Sequence, residues 1–193
     1  MNRIEPERFA SFALTFNPIR LGASLNHQRS RKVTEEIGDQ GMNTVVNRMT
    51  PNITTMIRLD HSHVLALSHR YTADTSDSKR RGLVTNACIA LQVHAQLEEE
   101  IFYPALRNVL AGDEVLAKSE PEHQQIRELI GELRERCTSD DPLDEAFDRK
   151  FMTLMRTVIH HVADEETELL PAAEHLLSED LARLGAEMTR RRI

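Results

Sequence analysis

Two stretches of the chain repeat the same residues that could bind a metal. His94 is followed by Glu98 four residues later and by a proline ten residues later, and His161 is followed by Glu165 and a proline at the same distances. On an α-helix, residues i and i+4 lie on one face, one turn apart. Each stretch can therefore direct one imidazole and one carboxylate at the same point. Two such helices facing each other in a bundle would form a metal site with nitrogen and oxygen ligands.

The elements that must position these residues are helices. Apolar residues follow helical spacing in four long runs, and no stretch alternates with a period of two. Polar or glycine-containing stretches separate the runs at 72–82, at Gly112-Asp113 and at 138–142. Because short connections imply antiparallel neighbours, the prediction is an all-α, up-down four-helix bundle.

Two further histidines, His61 and His123, fall on the other two helical runs. In antiparallel helices, residues of one layer are equally far from the turn between them, because the rise per residue is constant. The residue halfway between His61 and His94 lies in the first polar stretch, and the one halfway between His123 and His161 is Pro142. The four histidines are therefore predicted to share one layer of the bundle.

The third helix has an irregular start. Pro121 lies two residues before His123, and a proline inside a helix removes a hydrogen bond and disturbs the preceding turn. We expect the helix either to bend at Pro121 or to begin near Ser119, with Ser119 and Glu122 forming a capping box.

We expect three segments along the chain. Residues 1–52 have no sustained period and hold several prolines and glycines, so we interpret them as a weakly structured extension. Residues 53–177 form the bundle. Residues 178–193 are predicted to form a short helix with Ser178 as its N-cap, and its end at Arg190–Arg192 is interpreted as solubilising. Translation could also begin at an internal methionine: Met42, Met49 or Met56.

The composition excludes several classes of protein. The chain has 193 residues, 40% of them apolar, and a net charge of −7, whereas a nucleic-acid-binding face would be basic. No apolar run approaches the roughly 18 residues of a membrane span, and the first residues do not show the apolar region that is typical of a signal peptide. Cys88 and Cys137 are the only cysteines, and we interpret them as reduced thiols in a cytoplasmic protein.

These motifs resemble those of the hemerythrin family, specifically its HHE cation-binding branch. The resemblance covers roughly 53–177 and rests on Asp60-His61, on Glu122-His123 and on the two His–Glu–Pro stretches. It implies a four-helix bundle that holds two non-haem iron ions bridged by carboxylates. The terminal ligands would be His61, His94, His123 and His161, and the bridging carboxylates would be Glu98 and Glu165.

One position departs from the family pattern. Oxygen-carrying hemerythrins have a fifth histidine four residues after the one in the third helix, and this chain has Arg127 there. An arginine cannot coordinate a cation, so one ion would keep a position for water, another carboxylate or a small ligand. Glu122 is a candidate substitute ligand. One of Glu99 or Glu166 could accept a hydrogen bond from a ligand histidine.

Other residues compete for roles at the site. His160, with Asp164 four residues later, offers a second register for the fourth helix, but the proline spacing and the apolar seam favour His161. We expect Tyr71 and Tyr103 to be packing residues, although either hydroxyl could reach a bound ligand. The remaining histidines are expected at the surface: His27, His63, His69 and His175.

The predicted function is that of a non-haem di-iron protein that binds or senses a small ligand, oxygen or nitric oxide, or buffers iron. The same ligands also suit zinc or manganese. No substrate pocket or catalytic domain is evident, which favours binding over turnover. A di-iron enzyme that decomposes peroxide, or a factor that repairs iron–sulfur clusters, is the alternative, although residues 1–52 lack the cysteines that a repair module would carry. A metal-free helical interaction module that engages a partner is a third possibility, and the sequence does not identify a protein partner.

Overall fold

The structure, a computed structural model, describes residues 50–110 and 114–192. The predicted N-terminal extension, apart from its last residues, and the turn at Gly112-Asp113 lie outside the described residues. Every regular element in the described ranges is helical, so the predicted all-α class is confirmed. None of these helices is long and apolar enough to cross a membrane.

The helices in the described ranges are α1 (Ile53–His69), α2 (Asp77–Leu97), α3 (Tyr103–Arg107), α4 (Glu114–Thr138), α5 (Glu145–Asp164), α6 (Leu170–Leu176) and α7 (Leu181–Arg192). The four long helical stretches of the bundle are α1, α2–α3, α4 and α5–α6, and α7 is an additional helix. A π-helical turn joins α2 to α3 at Glu98–Phe102, and another joins α5 to α6 at Glu165–Leu169. Helix α4 packs against α2 and α5, and α1 packs against α2 and α7.

Side-chain caps fix where three of these helices begin. Asn52 accepts a hydrogen bond from the backbone N–H of Thr55 at 2.8 Å and caps α1. Ser76 and Asp144 cap α2 and α5 in the same way. Because Ser76 starts α2 at Asp77, the polar loop is shorter than the predicted stretch 72–82.

The two π-turns explain the prolines of the repeated motif. A proline has no backbone N–H, and its ring collides with the carbonyl four residues earlier. That carbonyl belongs to Glu100 for Pro104 and to Thr167 for Pro171, and both residues lie within a π-turn. The wider turn, with bonds from i to i+5, accommodates each proline without ending the helical stretch.

The third helix does not begin at Ser119. Helix α4 begins at Glu114 and runs through Pro121, so the predicted capping box is wrong. Leu116 lies in the turns before the proline and is only 5% exposed within the apolar core. Burial of such side chains, rather than local propensity, stabilises most helices in proteins, and here it extends the helix beyond the proline.

The C-terminal helix also differs from the prediction. Residues 178–180 form a turn, and α7 begins at Leu181 rather than just after Ser178. Helix α7 packs closely on the residues that begin α1. Glycine at position 185 permits this approach, since a β-carbon there would lie 2.3 Å from the carbonyl oxygen of Pro51. Leu184 and Met188 join the apolar core, so α7 is an integral part of the packed structure.

The core is divided into two apolar clusters. One includes Val64, Ile130 and Phe151 and lies toward the Ser76 and Asp144 ends of the bundle. The other includes Phe102 and Leu169 and lies against α7. Along each long helical stretch, the residues predicted to bind metal lie near the point where residues of one cluster give way to residues of the other.

Candidate metal centre

The four predicted ligand histidines are brought together, one from each long helical stretch. His61, His94, His123 and His161 are 3%, 4%, 1% and 2% exposed, and Glu98 and Glu165 are fully buried. Charged and polar groups are rarely buried to this degree unless they are paired or bind a metal.

Four of these residues form a first group. Nε2 of His61 lies 3.2 Å from Oε2 of Glu165, and Nε2 of His94 lies 3.2 Å from Oε1 of Glu98. One donor atom from each of the four residues falls within 4.8 Å of all the others. The group therefore offers two nitrogens and two oxygens to one point.

Glu98, His123 and His161 form a second group. The Nε2 atoms of His123 and His161 are 3.1 Å apart, and Oε2 of Glu98 lies 3.4 Å and 3.9 Å from them. Glu98 thus directs one oxygen at each group. Oε2 of Glu165 is 3.2 Å from His61 and 3.6 Å from His161, so both carboxylates lie between the groups.

The unsatisfied atoms of this layer fit a metal. Nε2 of His61 and of His94, Oε1 of Glu98 and Oε2 of Glu165 are buried and have no hydrogen-bond partner among the described residues. Such atoms cost free energy unless something satisfies them. Ligands about 2.1 Å from one ion lie roughly 3.0–3.4 Å from each other, close to most of the separations above. Imidazole and carboxylate ligands suit iron, zinc and manganese.

An outer ring of carboxylates orients the histidines. Nδ1 of His61 donates to Glu166 at 2.9 Å, Nδ1 of His123 to Glu99 at 2.9 Å, and Nδ1 of His161 to Glu122 at 3.0 Å. Nδ1 of His94 lies 3.5 Å from Asp60. A proton held on Nδ1 leaves the lone pair of Nε2 for a metal, which is the usual role of such outer partners.

Each outer carboxylate is next to an inner residue in the sequence: Asp60, Glu99, Glu122 and Glu166 adjoin His61, Glu98, His123 and Glu165. The sequence predicted that one of Glu99 or Glu166 accepts a hydrogen bond from a ligand histidine, and in the structure both do. Glu122 contacts the outer nitrogen of His161 and lies outside the two inner groups. The role of Asp60 was missed, and these adjacent acidic residues are the signal that would have indicated it.

Comparison with known proteins agrees with this geometry. A family model described as the hemerythrin HHE cation binding domain matches residues 52–173. The chain belongs to this family. Two relatives, uncharacterized proteins of Mycobacterium tuberculosis and Mycobacterium bovis, are 24% identical over 144 residues, which cover 72% of this chain and 84% of each relative. No solved structure matches the chain significantly.

The hemerythrin HHE domain is thus a metal-binding helical bundle. Its histidines show how the negative charge of the buried carboxylates is balanced when no cation is bound. Burial lowers the pKa of His61, but Glu165 and Glu166 raise it to about 9, and Glu122 and Glu98 raise the pKa of the buried His161 to about 10. Burial opposes ionisation of Glu98, yet the surrounding histidines hold its pKa well below the usual value. In the metal-free domain, protons on the imidazoles therefore balance the buried carboxylates.

Tyr103 has a more direct place in this hemerythrin domain than packing alone. Its hydroxyl donates to Oε1 of Glu165 at 2.8 Å, and it lies 3.4 Å from Oε2 of Glu98 and 3.3 Å from Nε2 of His123. Burial and the two carboxylates raise the pKa of Tyr103. Tyr71 instead bonds Asp148 and does not reach the centre.

Exposure and contacts bear on the predictions made for other individual residues. His161 is buried and His160 is exposed, which supports the register chosen for the fourth helix. His63, His69 and His175 are exposed, as predicted, whereas His27 lies outside the described residues. Arg127 points away from the inner groups and donates to Glu99 at 2.6 Å. Cys88 and Cys137 are free thiols.

A small cavity adjoins the inner histidines. It has a volume of about 10 Å³, room for about one water-sized molecule. All four histidines contribute to its wall, and most of the remaining wall is apolar: Val64, Leu91, Ala95, Ile126, Val158 and Val162. Space beside the histidines is therefore restricted to a very small molecule.

Proposed function

We propose that His61, His94, Glu98, Glu165, His123 and His161 hold two non-haem iron ions. Two features of the geometry support this. The inner atoms separate into two groups that share Glu98. His61, His123 and His161 are each fixed by a hydrogen bond at the outer nitrogen, and that nitrogen of His94 faces Asp60 at 3.5 Å. Two divalent ions would offset the two buried carboxylates and replace the protons on the imidazoles.

In this proposal Tyr103 completes the second group. That group has three donors where the first has four, and the residue at the place of the fifth histidine, Arg127, points outward to Glu99. The Tyr103 oxygen lies about as far from Nε2 of His123 and from Glu98 as the other donors lie from one another. A phenol oxygen is therefore available on the carboxylate side of the layer.

We propose that the protein binds or senses oxygen or nitric oxide at this centre. The observation that carries this proposal is the cavity, which reaches all four histidines and is otherwise lined mainly by apolar side chains. Iron held by these residues would supply, in its reduced state, the electrons for oxygen binding or a coordination site for nitric oxide. The apolar part of the wall favours a small, weakly hydrated molecule, because it offers no hydrogen bonds in place of those lost to water.

The first test is the metal content of the protein purified without air, followed by its optical spectrum on exposure to air. About two irons per chain and a new charge-transfer band in air are expected. His161→Ala should retain the first group and about one iron, whereas Glu98→Ala should lose both, because Glu98 belongs to both groups. The exposed neighbour variant, His160→Ala, is the control and should keep two.

Absence of metal from the wild-type chain, even after reconstitution, would refute the proposal. Equal metal content in Glu98→Ala and wild type would refute the shared role of Glu98. Oxygen evolution on addition of peroxide would favour the enzymatic alternative over ligand binding. In the ferric protein, loss of a visible band in Tyr103→Phe would identify the phenolate as a ligand, and an unchanged spectrum would limit Tyr103 to its hydrogen bond with Glu165.

A further inference from the structure

Two of the four outer carboxylates are held from both sides. Oε1 of Glu99 accepts from Nδ1 of His123 at 2.9 Å and from Arg127 at 2.6 Å. Both oxygens of Asp60 accept from Arg192, at 2.8 Å and 2.5 Å, while Oδ2 also faces Nδ1 of His94. Each carboxylate therefore lies between an arginine and an inner histidine.

The other two outer carboxylates lack such support. Within the described parts of the chain, Glu122 and Glu166 each have an ion pair only with a histidine. The four carboxylates are otherwise alike, because each is partly exposed and adjoins an inner residue in the sequence. The arginines thus divide the ring into two supported and two unsupported members.

The supported members belong to different groups of inner ligands. Asp60 faces His94, which is in the first group, and Glu99 faces His123, which is in the second. Each prospective ion would consequently have one histidine supported by an arginine and one that is not.

Arg192 comes from a part of the chain that the family match does not cover. The match ends at residue 173, whereas Arg192 is the last residue of α7. The adjacent Arg191 donates to Glu100 at 2.8 Å. Arg191 and Arg192, which the sequence suggested were solubilising, therefore hold the end of α7 against the outside of the metal layer.

We infer that Arg127 and Arg192 are positioning residues of the metal centre, each retaining one of two ions through a different carboxylate and histidine. This inference rests on the proposed metal-binding function. The mechanism is restraint: an exposed carboxylate samples several rotamers and loses entropy when it holds a histidine, and the arginine reduces that freedom beforehand. Arginine suits this role because its planar group offers several donors in a fixed geometry.

An ordinary surface ion pair is the competing explanation. Arg127 is 43% exposed and Arg192 is 35% exposed, and exposed pairs contribute little to folding. The two explanations differ in their consequences: a surface pair changes neither metal retention nor its spectrum, whereas a positioning residue changes both and leaves folding intact.

The experiment uses the full chain loaded with cobalt(II), whose visible spectrum reports its coordination, and follows release of the metal to excess chelator. In Arg127→Gln and in Arg192→Gln, one of the two ions should leave about tenfold faster. Changing the hydrogen-bond partner of a metal-binding histidine typically lowers metal affinity about 10–100-fold, and the lower end applies because the carboxylate itself remains. The double variant should release both ions faster. Arg127→Lys should restore much of the loss, since it can still pair with Glu99.

Matched controls come from the same helices. Arg134 on α4 bonds Gln92, and Arg183 on α7 pairs with Asp180, so their change to glutamine should leave release and spectrum unchanged. In a Glu99→Ala background, Arg127→Gln should have no further effect, whereas it should still act in an Asp60→Ala background.

Several outcomes would overturn the inference. Release rates equal to those of the control variants would do so, as would a full Arg127 effect that persists without Glu99. A lower unfolding free energy of the metal-free variants, sufficient to account for the faster release, would show a structural role instead. Wild-type protein that binds no cobalt would refute the proposed function itself, which distinguishes the two failures.

Discussion

Raising the pH should destabilise the metal-free protein between about pH 6.5 and 8.5. The folded state raises the pKa of His61 to about 9 and that of His161 to about 10, from about 6.5 in the unfolded chain. A histidine whose pKa is raised by folding adds its full contribution to the free energy of unfolding below pH 6.5. That contribution is lost as the pH rises toward the pKa of the histidine in the folded state. Linkage gives a loss of roughly 2 kcal/mol for one such histidine across this interval. The two losses do not simply add, because both histidines interact with Glu98 and Glu165.

Urea denaturation in the presence of a chelator, at several pH values in this range, measures the effect. Cys88 ionises appreciably only in the unfolded chain, with a pKa of about 8.5, because burial raises its pKa to about 12 in the folded protein. It therefore adds at most about 0.4 kcal/mol to the loss, at the upper end of the interval. His161→Gln should reduce the slope of stability against pH, whereas a change of the exposed His63 to glutamine should not. A free energy of unfolding that is constant or rises with pH would refute the reasoning.

Three further predictions concern stability and metal affinity. Gly185→Ala should destabilise the protein by about 1–3 kcal/mol in urea denaturation, because the new β-carbon would collide with the backbone at Pro51. The control, Gly131→Ala, places its β-carbon near no other atom and should stabilise α4 by about 0.5–1 kcal/mol. Equal effects of the two changes on the free energy of unfolding would contradict the packing of α7 on α1. Arg80→Leu should cost about 3 kcal/mol of unfolding free energy, because Asp148 would lose its charged partner at 2.8 Å and keep only the Tyr71 hydroxyl. A loss below 1 kcal/mol would show that the ion pair is dispensable. Metal affinity, measured by competition with a chelator, should increase with pH, because the cation displaces protons from the inner histidines. An affinity that does not change with pH would show that these histidines bind no protons in the metal-free state.

Much of the inner layer could be predicted from the sequence. The spacing of His94 to Glu98 and of His161 to Glu165 is a local property, because an α-helix places residues four apart on one face whatever surrounds it. The distances between ligands and turns then place His61 and His123 in the same layer, since the rise per residue is constant. The class of the fold and the six clustered residues follow from these two regularities.

Local rules did not place the helix ends or the outer contacts. The capping pattern at Ser119 indicated a helix start, but burial of Leu116 extends α4 back to Glu114. The π-helical turns that begin at Glu98 and Glu165 accommodate Pro104 and Pro171. No residue pattern in the sequence predicted these wider turns.

The sequence by itself determined the helical bundle and the histidine and glutamate residues that face its interior, because helical periodicity fixes which side chains share a face. Only the tertiary structure decided the partners across helices. Tyr103 reaches Glu165, Arg127 turns outward to Glu99, and Arg192 reaches Asp60 across 132 residues of sequence. Such contacts depend on how helices pack and on the rotamers of long side chains, and neither is encoded in the spacing of residues along one helix.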